Sequence, residues 1–266
     1  MTTFVDSWLR ADWPAPQNVQ TLMTDRHGGV SLPPWDSMNL GGHVGDEIGC
    51  VETNRQRLQS VVGAPLVFLN QVHGQKVLNL DASSAHGTEA DACVSAVPDV
   101  ACTIMVADCL PVLMCDRQGQ WVAAAHAGWR GLAGEAGQKT AWGVLESLCS
   151  NSRVSQARAE DILVWLGPCI GPQAFEVGPE VVAAFCEHDA CAEDLFKPLR
   201  PGKWLADLAG LARRRLSQLG IHRIYGNNSQ TDWCTVTNSV RFFSHRRDSP
   251  VLGQSGRMAA CIWLKS

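Results

Sequence analysis

The 266-residue chain has little charge, one tyrosine and no long uncharged apolar segment. Charged residues make up 18% of the sequence, the formal net charge is −4 and no basic tract stands out, so no nucleic-acid surface is predicted. No window approaches the roughly 18 continuous apolar residues of a membrane helix. The first residues lack the charged and apolar regions of a signal peptide. We therefore expect a cytoplasmic protein with a hydrophobic core and no membrane partner.

The sequence also lacks a cysteine pattern typical of disulfides, although the chain has 11 cysteines. Their number is odd, their spacing is irregular and no Cys-x-x-Cys occurs, which argues against a disulfide framework. Most of them are expected to be small core residues, as predicted for four in apolar surroundings: Cys102, Cys149, Cys186 and Cys261. Cys169 lies in a Gly- and Pro-rich loop, where a reactive thiol and an inward-packed one are both open interpretations.

Apolar periodicity predicts an irregular alternation of helices and strands. The predicted helices cover 51–62, 132–149, 179–188 and 205–219, and the predicted strands cover 66–69, 75–80, 162–166 and 259–264. This order favours an α/β or α+β fold in a single domain, 1–266, rather than a regular βαβ array. Arg213, Arg214 and Arg215 lie mostly off the apolar stripe of their helix and are expected to form a solvated face.

Two loops carry polar residues whose roles stay open. The segment 24–47 is rich in Gly and Pro and is either a surface loop or a loop that lines a pocket. Asp91 closes a polar loop, where a turn residue is favoured over a buried carboxylate that orients another side chain.

Three apolar runs each end near a residue that can bind a metal. His73 follows the run at 66–69, Cys109 interrupts the run from 104 to 115, and His126 ends the run that begins at 121. A catalytic zinc commonly has three protein ligands and one open position. The spacings exclude a local finger-type site but permit convergence from separate strands. Copper is also permitted chemically, and so is a metal-free site with Cys109 as the nucleophile and either histidine as its base.

Nine segments in order along the chain resemble the YfiH/YlmD family, whose members are labelled laccase-domain or polyphenol oxidase-like proteins. The segments are RHGGVS, SMNLGGHVGD, NQVHG, ADACVS, ADCLPVLMCD, AAAHAGWRG, LGPCIGPQAFEV, FFSHRRD and GRMAACIWL. The resemblance implies one α/β domain of layered mixed β-sheets flanked by helices. It also implies a zinc site formed by His73, Cys109 and His126.

The same resemblance implies a zinc-dependent purine nucleoside phosphorylase that acts on adenosine, inosine and methylthioadenosine, with adenosine deaminase activity. Three alternatives stay open. One is a peptidoglycan editing hydrolase that removes serine from a UDP-muramyl precursor. The others are a copper-dependent polyphenol oxidase and a non-enzymatic zinc-binding protein. The chain lacks the several His-x-His pairs expected of a copper cluster, which disfavours multicopper oxidation.

Candidate substrate contacts come from polar residues in these motifs. Arg130 follows a Gly-containing turn before a predicted helix, where an anion is favoured. We expect Arg26 and Arg130 to contact phosphate or another part of the substrate, and Asn39 to bind the ribose or the base. Asp108 either orients a ligand residue or caps a strand end. The expected partner is a small molecule, and a monomer is favoured.

Overall fold

Four layers of secondary structure stack in the order helix, sheet, sheet, helix. The structure is a computed structural model that describes residues 7–135 and 142–266. The strands of these residues are β1 Val19–Met23, β2 Leu66–Phe68, β3 Val77–Leu80, β4 Ala92–Ser95, β5 Ala101–Val106, β6 Leu110–Asp116, β7 Val122–Ala127, β8 Ile162–Leu166, β9 Glu176–Val177, β10 Phe196–Arg200, β11 Lys203–Ala206, β12 Ile224–Gly226 and β13 Met258–Leu264. The helices are α1 Ile48–Val62, α2 Trp129–Ala133, α3 Val144–Cys149, α4 Pro179–Cys186, α5 Leu208–Gln218 and α6 His245–Leu252.

The main core lies between a four-stranded and a six-stranded sheet. The strand orders are β1-β13-β5-β2 and β12-β8-β6-β7-β4-β3. Alternate side chains of both sheets meet in this core, among them Ile104, Leu113 and Trp165. Strands buried on both faces read as continuous apolar runs. This explains why β5, β6 and β7 dominate the hydrophobic pattern of the sequence.

Helices cover the outer face of each sheet. Leu58 and Val62 of α1 belong to the cluster that covers the four-stranded sheet. Side chains of α2, α3, α4 and α5 belong to the cluster that covers the six-stranded sheet, and a small sheet, β10-β11-β9, adds Phe196 and Ala206 to it. The expected fold class, layered mixed sheets flanked by helices, is confirmed.

Strand pairing brings the beginning of β6 next to the end of β7. Leu110 lies opposite Ala127 in this antiparallel pair, so Cys109 and Gly128 meet at one edge of the six-stranded sheet. Strand β5 pairs with β2 in parallel, and the chain leaves the ends of both strands toward the same edge. The segments after β2, after β5 and after β7 therefore converge.

Most predicted elements are confirmed. The strand at 162–166 is β8, and the strands at 66–69, 75–80 and 259–264 match β2, β3 and β13 with small shifts at their ends. The helices at 51–62 and 179–188 match α1 and α4.

The prediction of one helix over 132–149 is wrong. Helix α2 ends at Ala133, and Gly134 follows with φ +91°, a conformation that stops a right-handed helix. Helix α3 begins at Val144. Ala136 and Thr140, which contributed to the predicted stripe, lie outside the described residues.

Two predictions about α5 also need correction. The helix begins at Leu208 instead of Leu205, because Lys203–Ala206 pairs with both neighbouring strands of the small sheet. The arginine triplet is not a solvated face. Arg215 is buried and donates to Glu146 at 2.8 Å, Arg213 donates to the carbonyl of Asn227 at 2.7 Å, and Arg214 pairs with Asp189.

In the part of the chain that the structure describes, no helix has both the length and the apolar character needed to span a membrane.

Candidate metal centre

Cys109 lies at the corner between β5 and β6, and its neighbour Asp108 fixes that corner. Asp108 has φ +89°, a conformation that side-chain-bearing residues rarely adopt. Its carboxylate accepts hydrogen bonds from the Thr235 hydroxyl and the Arg246 backbone N–H, both at 2.6 Å. Asp108 therefore links the backbone beside Cys109 to two distant parts of the chain. Capping of a strand end alone does not account for these bonds.

His126 lies one residue before the end of β7, and Asp91 fixes its ring. The imidazole Nδ1 lies 2.8 Å from Asp91 Oδ1, and the backbone N–H of His126 donates to the Asp91 carbonyl at 2.7 Å. Asp91 is fully buried. A carboxylate on Nδ1 leaves Nε2 as the free ring nitrogen, the arrangement common around metal-bound histidines.

The same carboxylate fixes His73. Asp91 accepts backbone hydrogen bonds from Val72 at 3.1 Å, His73 at 2.9 Å and Gly74 at 2.7 Å. These bonds hold the backbone at His73, which has φ +61°. The favoured prediction for Asp91, an ordinary turn residue, is wrong, because a buried carboxylate needs several partners and these are supplied by two segments of the site.

The three candidate ligands lie together. Their ligand atoms are all within 4.8 Å of one another. Cys109 Sγ is 3.6 Å from His73 Nε2, and the two imidazole rings lie edge to face with centroids 4.7 Å apart. Tetrahedral zinc holds nitrogen and sulfur ligands about 3.3 to 3.7 Å apart. The separation between Cys109 Sγ and His73 Nε2 is in this range, and the three residues together can hold one metal ion with a position left open.

A glycine makes room for this cluster. Gly128 joins β7 to α2, and a Cβ there would lie 2.8 Å from Cys109 Sγ and 2.9 Å from His73 Cδ2. Any larger residue at 128 would displace two of the candidate ligands.

Electrostatics favours an ionised pair in the cluster without metal. Burial raises the pKa of Cys109, but the charge and hydrogen bonds of His126 and His73 outweigh burial and lower it to about 6. Burial lowers the pKa of His126, but Cys109 and Asp91 outweigh burial and raise it to about 9. A low-pKa thiol is present as thiolate, the form that binds metals.

The cluster lies in a cavity of about 450 Å³. One wall is apolar and includes Met105, Ile170, Phe175 and Leu208. The other residues are mostly polar or cationic: His43, Gln71, Arg130, His245, Arg246 and Arg257. Asp108 is the one carboxylate among the lining residues that the structure describes. This volume is within the range of about 300 to 1,000 Å³ that is typical of small-molecule sites.

Only one of the three predicted substrate contacts lines the cavity. Arg130 lines the cavity at its rim, with its guanidinium 4.3 Å from the centre of the Trp129 ring. Arg26 and Asn39 do not line it. Arg26 pairs with Asp36 at 3.3 Å, and Asn39 is fully buried. Direct substrate contact by Arg26 and Asn39 stays a prediction, although the protein itself supplies partners to both side chains.

Sequence reasoning missed several residues of the cavity. His43 belongs to the Gly-rich segment 24–47, for which pocket lining was one of the two interpretations. His245 and Arg246 belong to the aromatic and cationic segment FFSHRRD, and Arg257 belongs to GRMAACIWL. The segments were visible in the sequence, but nothing in their spacing indicated that they meet.

Cys169 packs inward. It is buried, it accepts a hydrogen bond from Asn227 Nδ2 at 3.4 Å, and burial raises its pKa well above the ordinary value. Of its two interpretations, the structure therefore supports the inert thiol.

The fold and the site define a single-domain α/β protein with a candidate mononuclear metal centre. A family model described as multi-copper polyphenol oxidoreductase laccase matches residues 20–265, and the chain belongs to this family. Two curated relatives cover nearly the same length. One is a purine nucleoside phosphorylase of Pseudomonas aeruginosa, 47% identical over 262 residues, which are 98% of this chain and 100% of the relative. The other is the purine nucleoside phosphorylase YfiH of Escherichia coli K12, 48% identical over 255 residues, which are 95% of this chain and 96% of the relative.

Solved structures show the same fold. A crystal structure of a Neisseria meningitidis protein has a TM-score of 0.87 and 44% identity, and the match covers 98% of this chain and 100% of that one. The structure of YlmD from Geobacillus stearothermophilus has a TM-score of 0.83 and 29% identity, with 97% and 96% covered. The resemblance to the YfiH/YlmD family is thus confirmed.

Proposed function

We propose that the chain is a zinc-dependent purine nucleoside phosphorylase that acts on adenosine, inosine and methylthioadenosine and also deaminates adenosine. The observation that carries this proposal is the group of His73, Cys109 and His126 in a cavity of about 450 Å³. The names of the curated relatives support the reaction. We further propose that residues 1–266 form one catalytic domain, and the free cysteines of the described residues support a reducing, cytoplasmic setting.

The residues of the site have separate tasks in this proposal. Zinc, when bound, would supply a Lewis acid with an open position. Asp91 keeps the Nε2 atom of His126 free by accepting a hydrogen bond from its Nδ1. The apolar wall excludes water beside the purine ring, and Phe175 offers a ring for stacking. Arg130, at the rim, meets the substrate as it enters.

Zinc is proposed instead of copper on the basis of the number of candidate sites, because the donor type does not separate the two metals. Two imidazoles and one thiolate suit both metals. Within residues 7–135 and 142–266, His73, Cys109 and His126 form the one group of this kind, so the described residues support a single ion and not a copper cluster. Metal analysis of the purified protein, with zinc and copper titrated back into chelator-treated samples, separates the two metals.

The activity is tested by incubating the zinc-loaded protein with adenosine and inorganic phosphate. We expect adenine and ribose 1-phosphate only when phosphate is present, and inosine from deamination whether or not phosphate is present. Cys109→Ser is expected to lose zinc and to lower kcat/KM by about 100-fold or more. Cys191→Ser is the matched control, because Cys191 is exposed and lies outside the cavity. Turnover by Cys109→Ser at the rate of Cys191→Ser, or no product from the zinc-loaded protein, would overturn the proposal.

A further inference from the structure

Arg257 is a cavity-lining arginine without an acidic partner. Its Nη1 donates to the carbonyls of Ser255 at 2.9 Å and Gly256 at 3.2 Å. Among the described residues, no aspartate or glutamate forms an ion pair with it. Burial lowers the pKa of Arg257, which reflects the cost of removing its charge from water. The charges of Cys109 and Asp108 favour its charged form, but they weigh less than burial. A half-buried cation that faces a cavity without a carboxylate in ion-pair contact is suited to bind an anion there.

The protein holds this arginine firmly in place. Asn39 Oδ1 accepts the backbone N–H of Arg257 at 2.9 Å and that of Gly41 at 3.0 Å. Leu40 N–H donates to the carbonyl of Arg257 at 3.0 Å. A Cβ at Gly41 would lie 2.7 Å from Arg257 Cγ, so the arginine stem lies directly on this loop. The buried Asn39 therefore fixes the backbone of Arg257 and is a positioning residue for its guanidinium.

Two histidines line the same cavity and lie within range of the charge of Arg257. Burial lowers the pKa of His43 and of His245, and in each case the charge of Arg257 is the next largest cause. His43 reaches the cavity from the Gly-rich loop, and His245 reaches it from the first turn of α6. Ser249 lies 2.7 Å from His245 Nδ1, which leaves Nε2 free toward the cavity. Both rings can donate hydrogen bonds beside the arginine.

The nearby carboxylate of Asp108 is bonded to other partners and forms no ion pair with Arg257. Both oxygens of Asp108 already accept short hydrogen bonds, from Thr235 and from the Arg246 backbone. Three arginines line the cavity, against this one aspartate. Arginines therefore outnumber the anionic groups of the lining even when the Cys109 thiolate is counted, which favours an anion beside the candidate metal centre.

We propose that Arg257, His43 and His245 form a binding site for the phosphate dianion beside the candidate metal centre. The use of this phosphate in catalysis rests on the proposed function. In that reaction, a phosphate oxygen forms a bond to C1′ of the ribose while the bond from C1′ to the purine nitrogen breaks. The bonding pair leaves with the purine, which takes the proton of hydrogenphosphate, and the other product is ribose 1-phosphate. The positive charge of Arg257 holds the attacking anion in place, together with hydrogen bonds from the N–H groups of the two imidazoles.

The test measures phosphate binding without turnover. Inorganic phosphate is titrated into the full-length zinc-loaded protein and followed by calorimetry or by ³¹P line broadening. We expect saturable binding, and a Kd raised about 10- to 100-fold in Arg257→Gln, the usual effect of losing a charge-assisted hydrogen bond. Arg257→Lys, which keeps the charge, should lie between. Arg153→Gln is the matched control, because Arg153 lies outside the cavity and its guanidinium has no hydrogen bond among the described residues.

Zinc content and thermal unfolding of each variant show whether Arg257→Gln is folded and loaded; if it is not, the Arg257→Lys measurement decides. No saturable binding by the wild type would overturn the proposal. So would equal phosphate affinity in Arg257→Gln and Arg153→Gln, or binding of adenosine 5′-monophosphate but not of inorganic phosphate. Phosphate binding that depends on Arg257, in a protein that does not cleave nucleosides, would retain this site and defeat the proposed function instead.

Discussion

Asp91 links two of the three candidate metal ligands through one buried carboxylate. It accepts a hydrogen bond from the His126 ring and three more from the backbone around His73. Burial alone would raise the pKa of Asp91, but these hydrogen bonds and the charge of His126 lower it. The carboxylate therefore stays ionised and fixes the His126 imidazole and the backbone that carries His73 before any metal binds.

Asp91→Asn tests this role. The amide keeps the shape of the side chain but turns one acceptor into a donor that faces N–H groups. We expect zinc affinity to fall about 10- to 100-fold, measured by competition with a chelating dye. Asp99→Asn is the control, because Asp99 is exposed and its φ of +57° suits asparagine. Equal zinc affinity in the two variants would contradict the prediction.

Cys109 should react as a thiolate in chelator-treated protein. Its pKa is lowered to about 6, so the reactive thiolate is present above that pH and is lost below it. We expect the rate of alkylation by iodoacetamide to be half-maximal near pH 6, measured by peptide mass spectrometry. Zinc should suppress the reaction. Cys115 and Cys261, whose pKa burial raises to about 12, are internal controls that should stay unmodified. A half-maximal rate near the ordinary thiol pKa of about 8.5 would contradict the assigned environment.

At the scale of elements, the link from β7 to α2 determines the room available to the ligands. Gly128 has φ −68° and ψ 162°, which any residue adopts, so Gly128→Ala should fold. The added methyl group would meet Cys109 and His73, and we expect zinc affinity to fall about 10-fold or more. Gly49→Ala in α1 is the matched control. A Gly128→Ala variant with wild-type zinc affinity would contradict the prediction, because Cys109 and His73 would then accommodate the methyl group without loss.

Helices α3 and α5 are joined by a buried ion pair between Glu146 and Arg215. Glu146 also accepts the backbone N–H of Gly143 at 2.7 Å. Arg215→Met would leave this carboxylate buried without its cation, and we expect a loss of about 3 to 5 kcal/mol in the free energy of unfolding, measured with urea. Arg153→Met, on the surface, should change it by less than about 0.5 kcal/mol.

The double variant Arg215→Met with Glu146→Gln tests the cause of that loss. The neutral amide oxygen can still accept from Gly143, so the double variant should recover part of the stability. Recovery is also expected because Arg215 Nη2 has no hydrogen-bond partner among the described residues, which makes the native pair imperfect. A double variant less stable than Arg215→Met would contradict this explanation.

Elements with strong local signals could be predicted from the sequence, and those that depend on distant partners could not. The apolar run at β8 predicts a buried strand by itself. The strand Lys203–Ala206 depends on pairing with β10 and β9, so its apolar residues read as the start of α5. Gly134 is a signal for the end of a helix, but the four-residue spacing of apolar residues over 132–149 favours one continuous helix.

The same limit applies to the site. His73, Cys109 and His126 could be proposed because each follows or ends an apolar run. Asp91 could not be assigned, since a carboxylate in a polar loop has no local sign of burial. Arg257 lies 218 residues from Asn39, and only the passage of the Gly-rich loop beside the start of β13 brings them together.

In the whole molecule, the candidate ligands belong to both sheets, so an ion bound there would connect the two halves of the core. His73 follows β2 of the four-stranded sheet, His126 lies in β7 of the six-stranded sheet, and Cys109 lies where the chain crosses between them. Zinc at about 100 times its Kd should stabilise the protein by about 2.7 kcal/mol, which corresponds to a rise in Tm of roughly 5 to 10 °C. Calorimetry with and without zinc measures it. Cys191→Ala should keep the shift and Cys109→Ala should lose it; equal shifts in the two variants would place the stabilising ion elsewhere.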